Sequence, residues 1–181
     1  VQSTGAWMVL ASTDKAVEPT SVMGATKAIA ERIVTAILAP GRGTVARMVN
    51  VLGSRGSLWR RIASRRERAD PIEIRELGAT RWILTGQDAG SLLLRGWLDP
   101  DPGSMIAAEP GAAVTVADLV AHALGSAAAA TVITGLRDGE KLHERLFGVE
   151  ETWTETGDRG VGRHVPPPAP PPDLSALRLA V

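Results

Sequence analysis

Four short segments of this chain carry residue types able to move protons or hold a phosphate. Ser12-Thr13-Asp14-Lys15 places a carboxylate beside an amine. Such a pair supplies an acid and a base when burial and proximity tune the two groups. The plain alternative is a polar turn with a surface ion pair. In Met23-Gly24-Ala25-Thr26-Lys27, Met23 and Lys27 stand four apart and share one face of a helix. Gly24 and Ala25 let that helix approach a sheet or a ligand closely. The same residues also read as an ordinary helix start with a solvated lysine. In Asn50-Val51-Leu52-Gly53-Ser54-Arg55-Gly56-Ser57, glycines flank an arginine and can offer N–H groups and a guanidinium to a phosphate. A flexible loop is the alternative. Gly135-Leu136-Arg137-Asp138-Gly139-Glu140-Lys141-Leu142 sets a second arginine in a glycine-bounded turn, suited to phosphate, ribose or base contacts or simply to a charged surface turn.

The elements that must position these groups follow from apolar patterning. Trp7 to Ala11 is a short apolar run that reads as a buried strand delivering Ser12–Lys15 at its C-terminal end. Open α/β sheets place their ligands at that end. Glu18-Pro19-Thr20-Ser21 gives a turn and a cap, and Val22 to Leu38 reads as a helix with Ile29, Ile33, Ile37 and Leu38 on its apolar face. Thr44 to Val51 reads as a second strand. Strand, helix and strand with short connections make a βαβ unit and predict a parallel sheet. Farther on, Ser91 to Trp97 predicts a helix, Thr115-Val116-Ala117-Asp118 resembles a capping box opening a helix to Leu124, and Thr131–Ile133 predicts a strand. Leu142 to Phe147 reads as the start of another helix. The polar residues after Thr152 and the prolines of 166–172 read as disordered or polyproline II. Gly41-Arg42-Gly43-Thr44-Val45-Ala46 matches G-x-G-x-x-A, but a dinucleotide fingerprint must follow a strand and open a helix, and this one does the reverse.

Composition removes other chemistries. Cysteine is absent, which excludes disulfides and thiolate sites. His122, His143 and His164 lie far apart without ligand spacing, so a metal site is not expected. The net charge is +0, which gives no general attraction to nucleic acid, and the arginines between Arg55 and Arg68 read as a solvated helix face. The apolar run at Trp7–Ala11 is too short to span a bilayer, and no signal peptide is evident. Hydrophobic residues at 44% and charged residues at 22% suit a soluble globular protein with a core.

In this order, the four segments resemble the CapD-like polysaccharide-biosynthesis branch of the extended short-chain dehydrogenase/reductases. That family's S-T-D-K-A-V-x-P-T-N-x-M-G-A-T-K is similar to Ser12–Lys27, with Ser21 where asparagine is usual. Its N-V-L-G-S-R-G-S stands intact at Asn50–Ser57, its T-R step at Thr80-Arg81, and its T-G-L-R-P-G-E-K-L-Y-E at Thr134–Glu144, with Asp138 and His143 replacing proline and tyrosine. The resemblance covers about residues 5–150. Val49 departs from the family's glycine and Arg60 from its proline.

The resemblance implies an α/β fold: the C-terminal half of a Rossmann-like parallel sheet with a small α/β substrate-binding subdomain. It implies boundaries at 1–57 for the catalytic part, 58–150 for the subdomain and 151–181 for a tail. It implies 4,6-dehydration of a UDP-N-acetylhexosamine with NAD or NADP: hydride leaves C4, a base takes the C5 proton, an acid expels the C6 hydroxyl, and hydride returns at C6. By similarity Lys15 is the base, Asp14 the acid, Thr13 a contact to the sugar hydroxyl and Lys27 the ligand of the nicotinamide ribose. Met23 stands where most relatives carry tyrosine, and tyrosine is absent from the whole chain. A thioether cannot relay a proton, so proton traffic runs through Thr13, Asp14 and Lys15. Asn50, Arg55, Ser57, Arg81, Arg137 and Glu140 are the implied substrate contacts, the arginines toward the diphosphate. The phosphate-binding loop of the family and its first βαβ units have no counterpart here. A fragment completed by a cofactor-binding segment or partner chain, a homo-oligomer, and a non-catalytic UDP-sugar-binding or interaction module all follow as readings, as does an epimerase. The expected location is the cytoplasm, with a full-length relative anchored at the inner face of the membrane.

Overall fold

The computed structural model describes residues 6–37, 42–68, 70–98, 104–108, 111–125, 130–156 and 161–164. Strand β1 spans Met8–Thr13 and runs directly into a one-turn 3-10 helix, Asp14–Ala16. Helix α1, Val22–Ile37, follows, and β2, Gly43–Met48, returns parallel to β1 in full register from Met8↔Gly43 to Thr13↔Met48. The expected βαβ unit is therefore present. The rejected G-x-G-x-x-A segment does open a strand.

The second strand does not continue to Val51. It ends at Met48, and Asn50–Val51 forms a separate strand, β3. The Asn50 N–H donates to the Trp82 carbonyl at 3.2 Å, so the chain changes partner at Val49. After helix α2, Leu58–Glu67, come the short strands β4, Ile72–Ile74, β5, Thr80–Arg81, and β6, Ile83–Leu84. β3 pairs parallel with β6. Helix α3 covers Gly86–Leu98, longer at its start than the pattern suggested because Thr85 and Asp88 exchange hydrogen bonds across the first turn.

β7, Met105–Ala108, joins β2 in parallel. β8, Val114–Thr115, leads into α4, Val116–Leu124. The Thr115 hydroxyl accepts the Asp118 N–H at 3.0 Å, the cap that the sequence predicts. β9, Thr131–Ile133, pairs parallel with β4.

Two expectations fail in the last third. Residues 142–147 form no helix. Their carbonyls are taken by distant partners: Leu142 accepts from the Thr80 N–H and the Arg81 guanidinium, and Leu146 accepts from Arg47. A helix there would withdraw those acceptors. The polar stretch after Thr152, expected to be disordered, supplies β10, Thr154–Glu155, and β11, Val161–His164. β11 lies antiparallel on β7, so the main sheet reads β1-β2-β7-β11-β10, parallel on one side and antiparallel on the other. The prolines of 166–172 lie outside the described residues.

Helices α1 and α3 cover opposite faces of this sheet. Val34 of α1 packs with Val45, Met105, Met8 and Leu10. Leu92 of α3 packs with the alternate positions Ala46, Ile106 and Val9. A second core joins α2, β4 and α4 through Ile62, Ile72, Ile74, Val116 and Val120. Burying each of those isoleucines contributes roughly 1.5–3 kcal/mol. A third cluster, Val49, Leu84, Ala107 and Leu146, sits where the two parts meet. Among the described residues no helix is long and apolar enough to cross a membrane.

Candidate active site

The site forms at the C-terminal end of β1, where the loops after β1, β2 and β4 converge. Thr13 ends the strand, and its hydroxyl accepts the Lys15 N–H while donating to Asp14 Oδ1 at 2.9 Å. The turn carries Asp14 inward, to 0% exposure, and leaves Lys15 outward with 29% of its side chain exposed. Lys15 Nζ stands 2.9 Å from Asp14 Oδ1 and 3.6 Å from Glu144 Oε1. Glu144 is also buried, 5% exposed at its side chain. Its Oε2 lies 3.9 Å from Lys141 Nζ, which donates to the Val17 carbonyl at 2.7 Å. Carboxylate, amine, carboxylate and amine thus alternate in one row. Asp14 Oδ2 and Glu144 Oε2 have no hydrogen-bond partner.

Two cavities flank this row. One of about 650 Å³ is lined by Thr13, Lys15, Met23, Asn50, Arg55, Ser57 and Arg81 among others. One of about 340 Å³ is lined by Lys15, Met23, Arg81, Arg137, Glu140 and Glu144. Lys15, Met23 and Arg81 therefore border both. Asp14 and Lys27 line neither. Lys27, one turn after Met23, donates to the Ala11 carbonyl at 2.9 Å and so lies along β1, the end strand of the main sheet.

The remaining sequence-derived residues differ in how far the fold already uses them. Arg81 donates to the carbonyls of Thr80, Lys141 and Leu142 at 2.7–3.0 Å and ties β5 to the 141–142 segment. Ser57 caps α2, its hydroxyl accepting the Arg60 N–H. Asn50 Nδ2 donates to the Trp82 carbonyl at 3.2 Å. Glu140 accepts the Arg137 N–H at 2.9 Å and closes its own turn. Arg55 is exposed, and among the described residues nothing engages its guanidinium. The arginines that follow it on α2 form the expected solvent-facing side, and Arg61, Arg65 and Arg66 also donate to the carbonyls of Glu73, Pro71 and Ala123.

Sequence reading gave no role to three residues that the fold places here. Glu144 and Lys141 lie inside a recognised motif but carry no spacing signal toward Lys15. Arg75, at the end of β4, borders both cavities and donates to Thr134 Oγ1 at 2.8 Å. Equally unforeseen is the buried cluster beneath the site. Arg47 of β2 is clamped by Glu31 of α1 at 2.7 Å and 3.1 Å, by Glu151 at 2.7 Å and 3.0 Å, and by the Leu146 carbonyl at 2.9 Å. Ser12 donates to the same Glu31. Burial alone lowers the pKa of Arg47. The hydrogen bonds and charges of Glu31 and Glu151 outweigh it and hold the guanidinium above its ordinary value.

Residues 2–162 match the family described as polysaccharide biosynthesis protein. This chain belongs to that family. It is 32% identical over 151 residues to the capsular polysaccharide biosynthesis protein CapD of Staphylococcus aureus, covering 79% of this chain and 25% of CapD. It is 32% identical over 150 residues to the UDP-N-acetylglucosamine 4,6-dehydratase (inverting) of Campylobacter jejuni, covering 78% of this chain and 43% of that enzyme. The chain thus spans less than half the length of either relative. In three dimensions it is similar to Pen from Bacillus thuringiensis, with a TM-score of 0.83 at 23% identity over 93% of this chain and 56% of Pen. It is also similar to TunA, an NAD-dependent NDP-hexosamine 5,6-dehydratase of tunicamycin biosynthesis, with a TM-score of 0.68 at 20% identity over 79% of this chain and 55% of TunA. These likenesses establish a Rossmann-like α/β fold, in agreement with the architecture that the four motifs indicate.

Proposed function

We propose that this chain supplies the catalytic strand tip and the sugar-nucleotide lobe of an NAD(P)-dependent 4,6-dehydratase acting on a UDP-N-acetylhexosamine. The observation that carries the reading is the position of Lys15. One amine at the end of β1 borders both cavities and is seated on a buried carboxylate.

Lys15 takes the C5 proton, because its Nζ is the exposed basic group of the row. The ammonium so formed is held by Asp14 at 2.9 Å. Asp14 is enclosed and acts on the leaving C6 hydroxyl through its neighbours. Thr13 Oγ1, which borders the larger cavity, is bonded to Asp14 Oδ1 and extends the proton path to the sugar. Met23, 49% exposed, fills the place of an ionisable group with an inert thioether. This confines proton transfer to Thr13, Asp14 and Lys15 and favours loss of water over simple inversion. Arg55, unengaged at the cavity rim, meets the diphosphate with Arg81 and Arg137. Asn50, Ser57 and Glu140 make the remaining polar contacts.

The described residues fit one end of the cofactor. Lys27, bonded to the Ala11 carbonyl on the outer strand, would hold the nicotinamide ribose. Among the described residues no G-x-G-x-x-G turn follows a strand and opens a helix to hold the pyrophosphate. When bound, NAD(P) supplies the hydride acceptor and donor.

Incubation of the chain with UDP-N-acetylglucosamine and NAD, followed by mass spectrometry, tests the proposal. Loss of one water from the nucleotide sugar is the expected result. An unchanged mass with inverted sugar configuration indicates an epimerase. UDP-sugar binding without any product indicates a non-catalytic binding module.

A further inference from the structure

We propose that Arg75 is a substrate-binding residue: its guanidinium takes the sugar-side phosphate of a nucleoside diphosphate on the border shared by the two cavities. The inference rests on the reading of this chain as the sugar-nucleotide lobe of a UDP-sugar enzyme. It adds a cation that lies outside the four motifs, and it gives the site a preference for diphosphates over monophosphates.

Position comes first. Arg75 directly follows β4. Arg55 borders the larger cavity and Arg137 the smaller, whereas Arg75, like Lys15, borders both. A nucleotide sugar whose ring stands at Lys15 carries its second phosphate beside that ring. Free donors are the second observation. Arg81 also borders both cavities, but its Nη1 and Nη2 are bonded to the carbonyls of Thr80, Leu142 and Lys141. Arg75 gives one N–H, from Nη1 to Thr134 Oγ1 at 2.8 Å. Its Nε stands 4.0 Å from Glu140 Oε2, beyond hydrogen-bond range. Among the described residues nothing claims Nη2, and a guanidinium fork suits the paired oxygens of a phosphate. The third observation is the way the side chain is held. Thr134 is itself tied to β4, its N–H donating to the Ile74 carbonyl at 2.9 Å and its hydroxyl to the same carbonyl at 3.4 Å. The partner of Arg75 is thus fixed to the strand that carries Arg75. A cation so placed before the ligand arrives lowers the ordering cost of binding. Charge is the fourth. On the smaller cavity the five cations Lys15, Arg75, Arg81, Arg137 and Lys141 outnumber three carboxylates. The excess is positive, and the charge of a diphosphate diester would neutralise it.

The test reads binding in the full chain and does not require turnover. UDP and UMP are titrated by calorimetry into the parent and its variants. The parent should bind UDP more tightly than UMP. Arg75→Gln should weaken UDP binding about 10–100-fold, the worth of a hydrogen bond to a charged group. It should weaken UMP binding by no more than about threefold and leave the unfolding midpoint in place. Thr134→Val removes the bond that Arg75 makes within the fold and should keep UDP affinity within about threefold of the parent. An unchanged UDP affinity in Arg75→Gln, an equal loss for UMP, or an equal loss in Thr134→Val overturns the proposal. Should Arg75→Gln not fold, Arg75→Lys decides. It keeps the charge without the planar fork and should weaken UDP binding about three- to tenfold, and no change again overturns it. A parent that binds no UDP overturns this proposal and the UDP-sugar reading together. If the expected effects are found while UDP-N-acetylglucosamine is not dehydrated, the dehydratase reading fails and the Arg75 contact stands.

Discussion

Gly24 lies directly against the carbonyl oxygen of Lys15, so close that a Cβ at position 24 would collide with it. The contact is backbone on both sides and cannot be relieved by a rotamer change. It fixes the height at which α1 crosses the tip of β1, and with it the placement of Met23 beside Lys15 on both cavities. Gly24→Ala should therefore move the strand tip as well as strain the packing. The expected cost is about 1–3 kcal/mol in chemical denaturation, with dehydratase kcat reduced more than UDP-sugar affinity.

Lys15 should be separable from binding. Lys15→Met removes the proposed base and keeps most of the side-chain volume. Dehydration by the NAD-loaded enzyme should fall about 10²–10⁴-fold, while UDP affinity measured by calorimetry stays within about threefold, since the proposed diphosphate contacts lie on Arg55, Arg81 and Arg137. Equal loss of both would place Lys15 in substrate binding instead.

Arg55 and Arg81 should respond differently although both are arginines on the larger cavity. Arg55 is unengaged, so Arg55→Ala should weaken UDP binding about 10–100-fold, the worth of a charged hydrogen bond, and leave the unfolding midpoint in place. Arg81 holds three carbonyls. Arg81→Ala should lower stability by about 1–3 kcal/mol in addition to any loss of UDP affinity.

The Arg47 cluster should be the most sensitive point of the fold. Arg47→Met leaves Glu31 and Glu151 facing each other without a cation, which should cost about 3–5 kcal/mol in urea denaturation. The guanidinium is held above its ordinary value by the carboxylates, against the opposing effect of burial. A group whose folded pKa is raised stabilises fully below its unfolded pKa and loses that contribution only above it. For an arginine this lies above about pH 12. Titration from pH 7 to pH 10 should therefore show no loss of stability from Arg47.

Gly139 adopts φ +82°, and a Cβ there would stand 2.6 Å from the Thr20 carbonyl oxygen. The Thr20 hydroxyl bonds the Gly139 carbonyl at 2.9 Å. This contact docks the Arg137–Glu140 turn on the start of α1. Gly139→Ala should cost about 1–3 kcal/mol, read by thermal unfolding, and weaken UDP binding through displacement of Arg137.

Local chemistry made much of this protein legible from its residues alone. The apolar run to Ala11, the turn at Glu18–Ser21, the cap at Thr115 and the four ordered motifs identify a βαβ unit, a family and the residues at one strand tip, because strand burial, capping and turn formation depend on near neighbours in the chain. Partner choice does not. Thr44 to Val51 reads as one strand because period and composition carry no mark of the exchange from the main sheet to β6 at Val49. Leu142–Phe147 reads as helical because nothing local reveals that Arg81 and Arg47 claim its carbonyls. Asp14 and Lys15 are adjacent in sequence, yet only the fold turns one inward and the other toward the cavities. Only the fold brings Glu144 to face that amine, since electrostatic contact depends on distance in space and the chain between them is long enough to be routed through two further cores.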